Sequence, residues 1–285
     1  MIPNTRSLDF DLGETADMIR DTVSSFAQSE IAPRAAEIDR TDEFPRDLWP
    51  KLGALGLLGV TVEEEYGGAG GDFLHSALIM EELANVYESG FAMSLHSDIV
   101  VPYIHEFGNA EQKQRWLPGC ASGELITAVG MTEPGTGSDL AGIQSTARKD
   151  GDHYVINGAK TFISNGQLCD LVVLACRTGA PGDDPHRSLS LFVVEAGTPG
   201  FTKGKKLEKM GMDSQDTSEL AFEDCRVPAA NLLGAPGGMP NMPNLPGVPQ
   251  GAMPGMPKGY TAPGTEKVAA ALNTADRPAP KIIFE

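Results

Sequence analysis

Apolar residues in the first part of the chain recur at helical spacing. Leu12, Ala16, Ile19, Val23 and Phe26 fall at steps of four and three, an amphipathic stripe that Pro33 is expected to close. A second short helix is predicted from Asp47, whose side chain suits an N-cap, through Trp49, Leu52 and Leu55. Gly67, Gly68, Gly70 and Gly71 interrupt the pattern, and Asp72 opens a helix carrying Leu74, Leu78, Glu81, Glu82 and Leu83. Further helices are predicted over about 93–107 and over 110–117, the latter ended by Pro118 and Gly119.

Near residue 124 the period changes. Short apolar runs at 125–131, 153–156, 159–164, 170–177, 188–195 and 219–222 are bounded by turn residues, as strands are. Asn157-Gly158 is the preferred pair for a two-residue hairpin turn, and Asn165-Gly166 marks another turn. Strands this close together, without intervening helices, point away from a doubly wound sheet. The expected fold class is α+β. An N-terminal all-α bundle occupies 1–122, an antiparallel β-barrel or sandwich occupies 123–233, and an irregular tail occupies 234–285. Residues 235–259 are mostly Gly, Pro, Met and Asn. That composition blocks helix and central strand, so disorder is expected. Glu266–Leu272 suits a helical turn or two, too short to be stable alone.

Composition narrows the function classes. A formal net charge of −17 argues against a nucleic-acid binder, which needs a basic face. No apolar run approaches the roughly 18 residues of a membrane-spanning helix. The first residues lack a signal-peptide core and the Arg-rich look of a transit peptide, so a cytoplasmic location is expected, with the mitochondrial matrix left open. Cys120, Cys169, Cys176 and Cys225 show no metal-ligand spacing and suit buried, reduced thiols. The five histidines include no HExxH, and no metal site is expected.

The stretch richest in chemistry is Met131-Thr-Glu-Pro-Gly-Thr-Gly-Ser-Asp139, directly after a predicted strand. Proline and two glycines force a tight, exposed path along which backbone N–H groups can approach a ligand. Hydroxyls of Thr132, Thr136 and Ser138 add donors for anionic oxygens or ring carbonyls. Taken alone, such a stretch is more often a plain turn. It lacks the third glycine of a dinucleotide fingerprint and the lysine of a P-loop. Lys203, Lys205, Lys206 and Lys209 form a basic cluster that reads either as a solvated run or as a seat for anionic phosphates. Glu81 and Glu82 are adjacent on a helix, so spacing alone does not make them a catalytic dyad.

The 131–139 segment resembles the flavin loop of the acyl-CoA dehydrogenases, usually T-E-P-G-A-G-S-D, with Thr136 here in place of Ala. The likeness extends through Glu111-Gln-Lys-Gln-Arg-Trp-Leu-Pro118, Ala121-Ser-Gly-Glu124, Asn157-Gly-x-Lys160, Phe162-Ile-Ser-Asn-Gly166, Lys209-Met-Gly211 and Phe222-Glu-Asp224 to Val227-Pro228, over about residues 10–234. The wording is most similar to the long-chain-specific and isovaleryl types. The resemblance implies FAD as cofactor and an acyl-CoA thioester as substrate, dehydrogenated to the trans-2-enoyl product. Electron-transfer flavoprotein is the implied partner, and a homo-oligomer stays open. It implies cofactor contacts at Val129, Met131, Thr132, Gly135, Gly137, Ser138, Phe162, Ile163 and Ser164. Thr132 would bond the isoalloxazine, Gly137 and Ser138 would lie near the pyrophosphate, and Phe162–Ser164 would lie against the ring. Ser138 would also touch the thioester arm.

In this family a glutamate from a third, helical domain removes the α-proton while the β-hydride goes to the flavin. The chain departs from the pattern at about residue 235. The tail acids Glu266, Asp276 and Glu285 lack the family's context, so no catalytic base is assigned. The expectation is a dehydrogenase homologue altered in its last third, with little activity alone. The alternative is a non-catalytic flavin- or acyl-CoA-binding or partner-binding module. An acyl-CoA oxidase is the less favoured enzyme reading.

Overall fold

The computed structural model describes residues 12–86, 90–180, 183–184 and 188–237. The helical turns expected at 266–272 and the rest of the Pro-, Gly- and Met-rich stretch from 238 onward lie outside the described residues.

The first amphipathic stripe forms α1, Glu14–Phe26, burying Ala16, Val23 and Phe26. Pro33 does not end it. The chain loosens into a π-helical turn, Ala27–Ile31, and a 3-10 turn, Ala32–Arg34, before α2, Ala35–Thr41, stops at left-handed Asp42. The missing proline N–H falls where the regular ladder has already changed, so it breaks nothing further. α3, Leu48–Ala54, follows Asp47, but that carboxylate does not cap it. Instead Asp47 takes a two-pronged contact from Arg34 at 2.8 and 2.9 Å. α4, Phe73–Ala84, does open on Asp72, in a reciprocal capping box with His75. A π-helical segment, Leu95–Val100, leads into α5, Val101–Phe107. α6, Ala110–Ser122, runs through Pro118 and ends at Gly123 in the left-handed conformation. Its buried face of Trp116, Leu117, Cys120 and Ala121 outweighs one lost backbone bond. Among the described residues no helix is long and apolar enough to cross a membrane.

Among the described residues eight strands follow: β1 Thr127–Gly130, β2 Thr146–Asp150, β3 His153–Ser164, β4 Leu171–Arg177, β5 Leu189–Glu195, β6 Phe201–Lys206, β7 Thr217–Pro228 and β8 Leu232–Leu233. They form one sheet in the order β6-β7-β3-β2-β4-β5-β8, with β1 paired to β4. The expected antiparallel barrel or sandwich is corrected here. β1 and β4 run parallel, β2 meets β4 in parallel at Thr146–Arg177, and no pairing joins β6 to β8 among the described residues. The sheet is therefore mixed and open.

Its centre is β4, whose residues alternate between two cores. Leu171, Val173 and Ala175 meet Val100, Ile104, Trp116 and Leu117 of the helices. Val172, Leu174 and Cys176 meet Tyr154, Ile156, Leu220 and Phe222 of the other half of the sheet. Burial on both faces explains the unbroken apolar run. All four cysteines are buried and free.

Asn157-Gly158 is not a hairpin turn. β3 runs straight through it, and the turn between β2 and β3 is at Gly151-Asp152. Asn157 uses its amide on Asp224 of β7, at 3.1 and 2.9 Å, beside a bulge in the β3–β7 ladder. Gly158 is needed for close approach, since a Cβ would lie 2.1 Å from Ser145 Oγ. Gly158→Ala is expected to destabilise the chain by about 1–3 kcal/mol, read as a lower urea midpoint at unchanged slope.

Candidate functional site

The apolar run Leu125–Met131 becomes β1 only from Thr127, and its exit delivers the Met131–Asp139 loop to the surface. Within the loop Glu133 and Thr136 exchange backbone bonds of 2.9 and 3.1 Å, a miniature antiparallel turn. Gly135, Gly137 and Ser138 are exposed at its crest. A Cβ at Gly135 or Gly137 would meet nothing within 4 Å, so the space before them is open. Asp139 closes the loop by accepting Ala141 N–H at 3.1 Å, starting the turn Leu140–Gly142.

Beneath the crest lies a buried ion pair. Lys160, on β3, is only 1% exposed, yet its Nζ donates to Glu133 Oε1 at 2.8 Å and to the Met131 carbonyl at 3.1 Å. Glu133 also accepts the backbone N–H groups of Gln144, at 2.6 Å, and Ser145, at 3.0 Å. Burial pushes the Glu133 carboxyl up, but Lys160 and the two amides more than offset it and hold it below the ordinary carboxylate range. On the return path Arg177 donates to the carbonyls of Ala141 (2.8 Å) and Ile143 (3.0 Å) and to Ser188 Oγ. Glu133 and Lys160 lie within segments that carry the family resemblance, but neither the resemblance nor local pattern gives a role to them or to Arg177.

β3 lies along this loop. Thr161 N–H donates to the Thr132 carbonyl at 3.0 Å, and Asn165 Nδ2 donates to the Thr127 carbonyl at 3.1 Å. Between them the β3–β7 register slips from Lys160 to Ile163. At that bulge Phe162 adopts φ +58° and leaves 67% of its surface exposed. A bulky residue in the left-handed region is strained, and such strain persists where the surroundings impose it. Thr132 and Phe162 thus stand beside one another at the edge of the exposed loop.

The other residues named from the sequence divide by direction. Ile163 points into the core at 2% exposure. Val129 and Met131 pack partly buried against the helix-facing core. Ser164 is half-buried and ends β3. The lysine cluster is largely consumed within the chain. Lys203 donates to the carbonyls of Gln167 and Cys169, Lys206 to that of Asp42, and Lys209 to that of Gln215. Exposed Lys205 pairs with Glu208 at 3.5 Å. Three of the four ammonium groups are therefore anchors. Glu81 and Glu82 both reach Arg20, at 3.6 and 3.9 Å, clasping α4 to α1.

One more buried group ties the helices to the start of β1. His96 is fully buried, its Nε2 at 3.0 Å from the Cys120 carbonyl and its Nδ1 at 3.1 Å from Thr127 N–H. Burial lowers its pKa to about 4. It is the neutral Nε2–H tautomer, joining α6 to the first residue of β1.

Comparison with known proteins fits this geometry. Residues 13–124 match the family model "Acyl-CoA dehydrogenase, N-terminal domain", and residues 128–225 match "Acyl-CoA dehydrogenase, middle domain". The long-chain specific acyl-CoA dehydrogenase of Sus scrofa is 46% identical over 218 residues, which are 76% of this chain and 51% of that protein. An acyl-CoA dehydrogenase structure from Geobacillus kaustophilus superposes with a TM-score of 0.77 at 50% identity, covering 82% of this chain and 61% of that one. A glutaryl-CoA dehydrogenase from Mycobacterium smegmatis, solved in complex with FADH2, gives a TM-score of 0.74 at 32% identity, covering 81% and 58%. The chain spans about half the length of the curated relatives it matches.

Proposed function

Because the chain belongs to the acyl-CoA dehydrogenase family through its N-terminal and middle domains, we propose that it binds FAD on the 131–139 loop and serves the α,β-dehydrogenation of an acyl-CoA thioester. The observation that carries this reading is Phe162, strained to φ +58° and exposed beside that loop. The residues suit a flat ring with a phosphate arm: an exposed aromatic at the bulge, open space before Gly135 and Gly137, and a free-standing hydroxyl at Ser138.

In this reading Thr132 bonds the ring, Phe162 and Ser164 border it, and the N–H groups of Gly137 and Ser138 face the pyrophosphate, where preorganised donors stabilise negative charge. Val129, Met131, Gly135 and Ile163 contribute backbone to the same wall. Ser138 also addresses the thioester arm. When bound, FAD supplies the two-electron acceptor of the dehydrogenation, while the protein provides position and exclusion of water. None of the carboxylates in or beneath the loop is free to take the α-proton. Glu133 is committed to Lys160 and two amides, and Asp139 caps Ala141. No catalytic base is assigned. Electron-transfer flavoprotein is the proposed acceptor, following the family resemblance. Four buried, free cysteines suit a reducing compartment, the cytoplasm or, as for relatives named mitochondrial, the matrix.

The test is an absorbance spectrum of the purified chain with FAD, before and after an acyl-CoA is added. Bound flavin that bleaches supports dehydrogenation by this chain. Bound flavin that does not bleach reduces the reading to a flavin-binding module. Failure to take up FAD overturns it.

A further inference from the structure

The Glu133–Lys160 pair is buried beyond what a surface loop requires. Lys160 has no exposed side-chain surface and Glu133 almost none, at 2.8 Å separation. Buried ion pairs are a poor way to stabilise a fold, because the charges lose hydration that their attraction barely restores. Apolar side chains of similar volume generally serve as well. The geometry here points to a different role. Lys160 ties β3 to Met131 and to Glu133, and Glu133 ties the same point to the amides of Gln144 and Ser145. One carboxylate and one ammonium thus gather both ends of the 131–145 segment onto a single point of the sheet. A Cβ at Gly135 or Gly137 would meet nothing within 4 Å, so among the described residues no part of the chain packs over the outer side of the crest. Their path is imposed from below.

We infer that Glu133 and Lys160 are a positioning pair for the cofactor: they set the 131–139 loop in its binding shape before FAD arrives, and so govern FAD affinity more than fold stability. This rests on the reading of that loop as the FAD site. A loop that must find its shape during binding has an apparent affinity reduced by the fraction of time it is correctly formed.

The experiment uses the full chain carrying Glu133→Gln with Lys160→Met, which removes both charges together. FAD binding is followed by quenching of flavin fluorescence, fold stability by thermal unfolding without FAD, and loop order by hydrogen exchange of the FAD-free chain. The expected result is an unfolding midpoint within about 4 °C of the parent, FAD affinity weakened by about tenfold or more, and faster exchange at the Gln144 and Ser145 amides. A second variant, Glu133→Gln with Lys160→Gln, keeps a neutral hydrogen-bonding pair and is expected to bind FAD with intermediate affinity. Either variant binding FAD like the parent, with unchanged exchange at 144–145, overturns the inference while leaving the FAD reading intact. A parent chain that takes up no FAD overturns both.

Discussion

Lys160→Met on its own is expected to destabilise the chain by about 3–5 kcal/mol, because it leaves Glu133 charged, buried and without its cation. The carboxylate keeps only the Gln144 and Ser145 amides. It cannot move to water, since the sheet lies beneath it and the Glu133–Thr136 turn fixes its backbone. The double replacement removes the orphaned charge and should recover most of the loss. A urea-unfolding cycle of parent, both singles and the double measures this. Two destabilised singles beside a near-normal double is the expected pattern. A single as stable as the parent would mean that the pair is solvated after all.

Acid should weaken the fold through His96, and in a window set by that residue. Its folded pKa is about 4 against an ordinary value of 6.5. Burial is the main cause, partly opposed by the Cys120 carbonyl and the charge of Asp170. Above pH 6.5 the ring is neutral in both folded and unfolded chains, and its contribution is fully present. As pH falls from 6.5 toward 4 only the unfolded chain takes up the proton, so stability drops by about 3 kcal/mol across that interval. A protonated Nδ1 would also turn a donor toward Thr127 N–H, which it now accepts at 3.1 Å. Asp98, raised by burial two residues along the same segment, works in the opposite sense and softens the slope. The partnered carboxylates of Asp47 and Glu63 are held low, so their losses begin at more acid pH. Urea midpoints at pH 7, 6 and 5 should fall steadily for the parent and less steeply for His96→Asn. Equal slopes would exclude the histidine as the source.

Much of this fold is legible in local pattern. The change of period near residue 124 separates helices from strands, and Asp72 caps α4 as its spacing requires. What escaped the sequence is non-local or side-chain-specific. Asp47 looks like a cap, but Arg34, thirteen residues back, offers a charged partner that a backbone amide does not match. Asn157-Gly158 looks like a turn, but its amide and its missing Cβ serve Asp224 and Ser145, residues distant in sequence. The parallel pairing of β1 with β4 joins residues 44 positions apart, as in Thr127 with Leu171, and leaves no trace in either strand's own alternation. β6 is a polar edge strand, and its Lys-rich face hides it from a search for apolar alternation.

The site divides in the same way. Its crest, Gly135 to Ser138, is visible because glycine, proline and hydroxyl residues declare an exposed loop. Its foundation is not, because nothing in the string places Glu133 against Lys160 or Arg177 against Ala141. Phe162 is read from sequence as a strand aromatic, and only the register slip beside it explains why it faces solvent.

Whether the 131–139 loop and the Phe162 bulge form one FAD site is measured most directly by hydrogen exchange of the full chain with and without FAD. Slower exchange confined to peptides covering 131–139 and 160–165 is the predicted result. Slowing elsewhere with these two segments unchanged, or no slowing at saturating FAD, would contradict it.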